Sequence, residues 1–380
     1  MSKKQVKLGK GAYGQVELKG GKAVKKFKKL SHLVQEWTAG IFLKYEGTEH
    51  TIHPLSFDLK SLEITMKAYN TNLRKILDKG ISEEDKRLYL KKLLEGLVEL
   101  QDLNLVHADI KPSNLLVGKG DDKKHLIIGD LGFVSHVGFS KVERTAEAYR
   151  EKYDMSNGFG HDMYSVGVIM LELFSEDEKC TREKECTKHV KDKVISSLII
   201  RLFHETPDKR PRAREMMKEL GYPCNENVRK NKSKIYPTVK ELEKEKDFMD
   251  GICNSFEIKR KEYGFMALNT YLKEHTEGKD GKDAKGSEGK SEKKDGKDGK
   301  GKKDRKKKDK GKKDERKKEK NVKNYIVATV FILSSVFGRS SIDIKSLLEK
   351  GKVSERKFMK SLEKLLNSRT FVCNIMEPSI

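Results

Sequence analysis

Cysteine is scarce in this chain, at 5 of 380 residues. The number is odd and no Cys-x-x-Cys pair occurs, which argues against a disulfide scaffold and for a reducing compartment. Apolar residues make up only 35% and aromatics 7%, little for a chain folded along its whole length. No long hydrophobic run is present. The longest, Tyr325 to Phe337, falls short of the roughly 20 residues a membrane-spanning helix needs. The opening MSKKQVKLGK has no apolar core of a secretory leader. Collagenous, secreted and polytopic membrane classes are excluded, leaving the expectation of a soluble protein of the cytoplasm, the nucleus or both, with no membrane partner.

Charge is abundant: 37% of residues are charged, with 82 Lys and Arg against 59 Asp and Glu. Much of the excess sits in one tract. Residues 277–320 hold 21 Lys and Arg, 12 Asp and Glu, 8 Gly, two Ser and one Ala, for a net charge of +9. Such a tract buries too little apolar surface to offset its chain entropy, so disorder is expected there. The remaining 336 residues suffice for two domains of ordinary size.

Along the chain, residues 6–27 alternate like short strands, with Gly20-Gly21 where a tight hairpin turn belongs. Residues 31–45 read as a helix and 62–69 as another strand. Ser82 is a candidate N-cap with Asp85 three residues on, and Leu90, Leu93, Leu94 and Leu97 then share a helical face. Two short apolar runs with polar punctuation fill 105–131. Met163 to Phe174 suggests a buried helix, and Val194 to Phe203 an amphipathic one. The order is a small β-rich lobe and then a helical lobe. A Pro-, Asn- and Lys-rich stretch follows, from Pro223 to Tyr236.

Gly9, Gly11 and Gly14 form a Gly-x-Gly-x-x-Gly pattern around Lys10, with Val16 after it. Glycines in such a place let backbone amides approach phosphate oxygens that a Cβ would exclude; a plain glycine-rich hairpin is the bland alternative. Ala23-Val24-Lys25 follows at the distance expected of a strand lysine that reaches phosphates. Such a lysine needs a carboxylate, and Glu36 is the only acidic residue between Lys25 and Glu46. Further on come His107-Ala108-Asp109-Ile110-Lys111-Pro112-Ser113-Asn114 and, 16 residues past Asn114, Asp130-Leu131-Gly132.

On these motifs residues 1–222 resemble a eukaryotic-type Ser/Thr protein kinase. The resemblance implies ATP and Mg²⁺ as cofactors and a protein as substrate. It makes Asp109 the carboxylate that accepts the substrate hydroxyl proton, Lys111 the group that steadies the γ-phosphate, and Lys25 with Glu36 the phosphate-holding pair. Asn114 and Asp130 become the metal ligands, with the hard oxygens Mg²⁺ prefers. Gly9, Lys10, Gly11, Gly14, Val16, Ala23, Lys25, Met66, Lys67 and Tyr69 would bind the nucleotide, Met66 flanking adenine and residues 67–69 forming the hinge. Thr145 resembles the threonine of the substrate-binding loop. Asp162 and Arg210 resemble structural supports.

The departures are informative. Ala108 stands where the family usually has an arginine that meets a phosphate on the activation segment, so activity without such a phosphate is expected. The segment's closing motif is not recognisable; Glu151 is the nearest candidate. A pseudokinase scaffold stays open as the competing class.

Residues 236–376 without the Lys-rich tract show helical periodicity. Phe248, Met249, Ile252, Cys253 and Phe256 share a face; Phe265 to Leu272, Tyr325 to Phe337, Ile344 to Leu348 and Phe358 to Leu366 add four helices. Tyr325–Phe337 is apolar nearly all round, as for the central helix of a bundle, and Ser354 is a candidate N-cap. These five helices resemble a cyclin box, with an unrelated bundle as the alternative. The expected architecture is α+β: a two-lobed protein-kinase fold at 1–224, a linker at 225–235, and an all-α cyclin-like domain at 236–376, interrupted by the insertion at 277–320. Kinase and helical domain would contact each other within one chain, raising the activator's effective concentration to roughly millimolar.

Three weaker signals remain. Lys302 to Lys320 suits a solvated linker, a nuclear import signal or nucleic-acid binding by counterion release, without aromatics for base stacking. A basic tract before an apolar segment also suits membrane anchoring, against which the short span and later helices speak. Cys180, Cys186 and His189 suggest zinc without a fourth ligand, or surface-loop cysteines.

Overall fold

The computed structural model describes residues 6–10, 14–118, 125–137, 149, 158–177, 184–224, 238, 240–256, 258, 260–280, 321–337 and 342–376. Gly11, Thr145, Glu151, the expected linker at 225–235 and residues 281–320 lie outside the described residues. Two compact units are present, one of residues 1–231 with 335–339 and 376–380, the other of residues 232–334 and 340–375.

The first unit begins with five antiparallel strands: β1 (Val6–Lys10), β2 (Gly14–Lys19), β3 (Lys22–Phe27), β4 (Pro54–Asp58) and β5 (Glu63–Lys67), ordered β1-β2-β3-β5-β4. Gly20 and Gly21 take φ of 56° and 77°, the left-handed pair that lets a two-residue turn match strand twist. The helix α1 (Leu30–Tyr45) covers the sheet. It buries Leu33, Val34, Ile41 and Leu43, each worth about 1.5–3 kcal/mol in removal from water. Its Trp37 meets Phe57 edge-on at 4.5 Å. The hairpin and the helix were legible in the sequence; β4, with its proline start, was not.

Below the sheet, a two-residue strand β6 (Thr71–Asn72) leads into α2 (Leu73–Leu77) and α3 (Glu83–Asp102). Ser82 caps α3 as expected, its hydroxyl accepting from the Asp85 amide at 3.1 Å, and Leu90, Leu93, Leu94 and Leu97 are buried. Short strands β7 (Leu105–Val106), β8 (Leu115–Val117), β9 (Leu126–Ile128) and β10 (Ser135–His136) follow. Among the described residues three α-helices follow in this part: α4 (Phe159–Phe174), buried along most of its length, α5 (Lys193–Leu202) and α6 (Ala213–Glu219). Cys186 is buried and disulfide-bonded, so the surface-thiol expectation fails. An odd cysteine count requires at least one unpaired thiol, here Cys224, Cys253 and Cys373 among the described residues, but does not exclude a bridge. No group of three or more His, Cys, Asp or Glu that could hold a metal occurs among the described residues.

The second unit is helical: α7 (Lys240–Lys244), α8 (Lys246–Ser255), α9 (Lys261–Asp280), α10 (321–337) up to Ser334, α11 (Ile344–Gly351), α12 (Glu355–Leu366) and α13 (Arg369–Met376) up to Ile375. Residues 326–334 of α10 are all buried, as its all-round apolar sequence requires. Phe331 of α10 meets Phe358 of α12 edge-on at 5.5 Å, and Tyr271 of α9 packs on Tyr325 at 5.4 Å. The sequence reading of five helices is corrected to seven among the described residues. The added α7 spans five residues, too few for periodicity to register. The added α13 carries Thr370, Phe371 and Val372, types that read as extended chain, and is helical because Phe371, Val372 and Ile375 are buried in the tertiary core. The expected insertion at 277–320 also begins late, since α9 runs to Asp280. Ser354 stands at the N-cap of α12 without a side-chain bond, whereas Asp343, unnoticed in the sequence, caps α11. Among the described residues, no helix is long and apolar enough to cross a membrane.

Candidate active site

Between the sheet and the helices of the first unit lies a cleft of about 370 Å³, within the range of nucleotide-sized sites. Gly9 and Gly14 of β1 and β2 and Val16 roof it, and Ala23 and Met66 line the wall. Lys67 and Tyr69 follow along the same wall, the lysine ammonium 5.4 Å from the tyrosine ring centre. The side chain of Lys10 is outside the described residues.

At the inner end, β3 delivers Lys25, only 7% exposed. Its Nζ lies 2.6 Å from Glu36 Oε2 on α1 and 2.6 Å from Asp130 Oδ1. These three groups span 105 residues of sequence, and the strand-helix-loop geometry brings them together. Burial alone would lower the Lys25 pKa, but the two carboxylates outweigh it and raise it. Burial pushes Glu36 up to about 7, against the pull of Lys25. Burial would raise Asp130 too, yet the Lys25 charge prevails there and holds it below the ordinary carboxylate range. One ammonium thus serves two carboxylates unequally.

The loop after β7 is fastened from several sides. Asp162 at the start of α4 accepts from the backbone N–H of His107 at 2.7 Å and of Ala108 at 2.8 Å; burial raises its pKa. The Asp109 amide donates to His107 Nδ1 at 3.2 Å, which leaves the proton on Nε2 to donate to the Gly129 carbonyl at 3.0 Å. Asp109, 2% exposed, accepts from Lys111 Nζ at 2.7 Å and from Asn114 Nδ2 at 2.9 Å. Ala108 and Asp130 hold left-handed backbones, with φ of 60° and 58°. Each costs about 1–2 kcal/mol, tolerated where surrounding hydrogen bonds over-determine the conformation.

Asn114 spends its amide nitrogen on Asp109, which turns its carbonyl oxygen to other use, and Asp130 has a second carboxylate oxygen beyond the one Lys25 takes. Two hard oxygens beside an open cleft fit Mg²⁺, which keeps waters and phosphate oxygens in its other positions. Sequence reasoning missed Leu8, Ile52 and Leu116 in the cleft walls, with Asn72 and Lys75 at its edge. Leu116 was readable: Leu115 and Val117 are buried in the core, so alternation along β8 turns Leu116 to the cleft. Also missed was Tyr149, four residues past Thr145, whose hydroxyl joins Arg74 of α2 at 2.5 Å and Glu172 of α4 at 2.7 Å.

The model of the protein kinase domain matches residues 2–261. A probable serine/threonine-protein kinase of Dictyostelium discoideum is 29% identical over 207 residues, covering 48% of this chain and 12% of the relative. Myosin light chain kinase A of the same organism is 29% identical over 188 residues, covering 44% and 63%. Mitogen-activated protein kinase 3 of Arabidopsis thaliana is 30% identical over 128 residues, covering 32% and 35%. The chain therefore spans less than two thirds of each of these relatives. With the family model covering more than half of the chain and the cleft geometry beside it, this chain belongs to the protein kinase domain family.

Proposed function

We propose that the chain is a Ser/Thr protein kinase that moves the γ-phosphoryl group of ATP to a protein hydroxyl. The observation that carries the reading is Lys25, bonded at 2.6 Å to both Glu36 and Asp130, the assembled form of a phosphate-holding lysine. Phosphoryl transfer asks chiefly for positioning and for neutralisation of spreading charge. In this reading Lys25 holds the inner phosphates and Asn114 with Asp130 hold Mg²⁺, which would neutralise charge on the phosphate oxygens. Asp109 takes the proton of the attacking hydroxyl while Lys111 meets the γ-phosphate. The hydroxyl oxygen bonds to the γ-phosphorus as the bond to the ADP oxygen breaks. Gly9, Gly14, Val16, Ala23, Met66, Lys67 and Tyr69 line the nucleotide cleft, and Thr145 serves the substrate.

The test is labelled-phosphate transfer from Mg-ATP to a generic basic protein, with Lys25→Met and Asp130→Ala as controls. Transfer lost in both variants supports the reading. No transfer from the folded parent chain would favour a scaffold with a kinase fold.

Ala108, at the usual arginine position, supports activity that needs no activation-segment phosphate; phosphatase treatment should leave transfer unchanged. For the helical unit we propose a cyclin-like activator acting in cis, supported by its buried central helix α10. Comparing the full chain with residues 1–224 tests this, since equal activity would make the unit a docking module. A cytoplasmic or nuclear site of action, with the Lys-rich tract as import signal or nucleic-acid contact, belongs to the same proposal; fractionation and salt-dependent DNA binding test it.

A further inference from the structure

His50 lies in the loop between α1 and β4, behind the cleft. Its Nε2 is 3.0 Å from Glu95 Oε2 and its Nδ1 is 3.1 Å from Glu99 Oε1, both on α3. A neutral imidazole has one N–H, so only the doubly protonated ring donates to both carboxylates. Glu99 also accepts the backbone N–H of Glu49 at 2.9 Å and of His50 at 3.0 Å. The loop reaches β9 as well: the Ile128 N–H donates to the His50 carbonyl at 2.8 Å, and the Ile52 N–H to the Ile128 carbonyl at 2.9 Å. Gly96 allows this approach, because a Cβ there would come within 2.8 Å of Ile128 Cδ1 and 3.0 Å of His50 Cβ.

The connections run to both partners of Lys25. Ile128 is two residues before Asp130. On the other side, Thr48 Oγ1 donates to the Leu43 carbonyl at 3.1 Å and lies 2.9 Å from His53 Nε2, so the same loop is tied to the end of α1, the helix that carries Glu36. We propose that His50, gripped between Glu95 and Glu99, is a positioning residue that keeps Glu36 and Asp130 in register with Lys25. This rests on the nucleotide-site reading given above.

The charged surroundings favour the cation. From α3 come Glu95 and Glu99, with Lys92 at 2.7 Å and Lys91 at 3.8 Å from Glu95. From the loop come Glu49 and His53, with Lys44 of α1 acting on His53; β9 offers no titratable group. Burial alone would lower the His50 pKa, but the two glutamates raise it to about 9.

The experiment measures kcat/KM for Mg-ATP from pH 7 to pH 10 in the full chain, in His50→Gln and in Glu95→Gln, with circular dichroism on each. The parent should lose activity as pH rises through about 9. Glu95→Gln should move that limb down by about one pH unit, a change that a purely structural role would not produce. His50→Gln should lower kcat/KM about tenfold at pH 7.5 and lack the limb; if it fails to fold, Glu95→Gln carries the test. A limb unmoved in Glu95→Gln, or a folded His50→Gln as active as the parent, overturns the proposal alone. A parent chain that neither binds nor turns over Mg-ATP overturns the kinase reading and this proposal together.

Discussion

Glu36 supplies a stability signature that can be worked through from the structure. It is 6% exposed, 2.6 Å from Lys25 and close to the charge of Asp130. Burial lifts its pKa from 4.5 to about 7. An acid whose folded pKa is raised contributes stability that is fully present below its unfolded value and is lost as pH rises through the folded one. The window here is therefore pH 4.5 to about 7, and at about 1.4 kcal/mol per pH unit the swing is about 3 kcal/mol. That is a large share of the roughly 5–15 kcal/mol holding a typical domain together. The assay is urea unfolding of the parent and of Glu36→Gln without nucleotide, followed through Trp37, the only tryptophan of the chain. Glutamine mimics the protonated acid but does not titrate, so subtracting the two curves cancels other groups, His50 included. The parent should gain about 3 kcal/mol relative to the variant between pH 7.5 and pH 4.5. A difference that stays flat refutes the reasoning. A difference of opposite sign would show that the Lys25 ion pair outweighs burial and that Glu36 is depressed, not raised.

Other outcomes follow from the same contacts. Asp162→Ala leaves two buried backbone N–H groups without acceptors at about 1–3 kcal/mol each, so denaturant unfolding should show a loss of about 2–6 kcal/mol. Lys25→Met and Asp130→Ala should each cut phosphate transfer at least about 100-fold, the scale of losing one charge-stabilising group, with circular dichroism unchanged. Gly96→Ala should cost about 1–3 kcal/mol by thermal or urea melting, because its methyl would come within 2.8 Å of the fully buried Ile128 side chain and 3.0 Å of His50 Cβ.

The site was more legible in the sequence than the fold around it. Lys25, Glu36, Asp109, Asn114 and Asp130 could be named because their motifs resemble those of protein kinases, and the structure joins Lys25 to Glu36 and Asp130 and Asn114 to Asp109. Their hydrogen-bond partners could be placed only in part. Asp162 was recognisable from its motif, but the Tyr149–Arg74–Glu172 bridge joins residues 75 and 98 positions apart, and no local pattern announces it. His50 has the same character: in sequence it is a lone histidine in a polar loop, and its two glutamates lie on α3, 45 residues and more away. The elements show a parallel contrast. The α3 helix has a cap and a leucine stripe, so its start was readable. By contrast, α13 is held by burial of Phe371 and Ile375 against other helices, a tertiary cause that overrides weak local propensity.

The loop around Ala108 is held without a charged side chain at that position. An arginine there would answer to a phosphate, and its contribution would depend on whether that phosphate were present. In this chain the loop is held by groups that are always present. Asp162 takes the amides of residues 107 and 108, and His107 passes a hydrogen bond to the Gly129 carbonyl. That last bond ties the loop bearing Asp109 to the turn bearing Asp130 without passing through residue 108's side chain. The left-handed backbone at Ala108 is consistent with this division of labour: the position serves to turn its own amide toward Asp162. Restoring an arginine, as in Ala108→Arg, would have to accommodate a long cation at a position now 4% exposed. The expected outcome is lower stability by urea unfolding, with no gain in transfer activity. A variant that became more active on phosphorylation would show instead that the loop had kept the room and the partners for phosphate control.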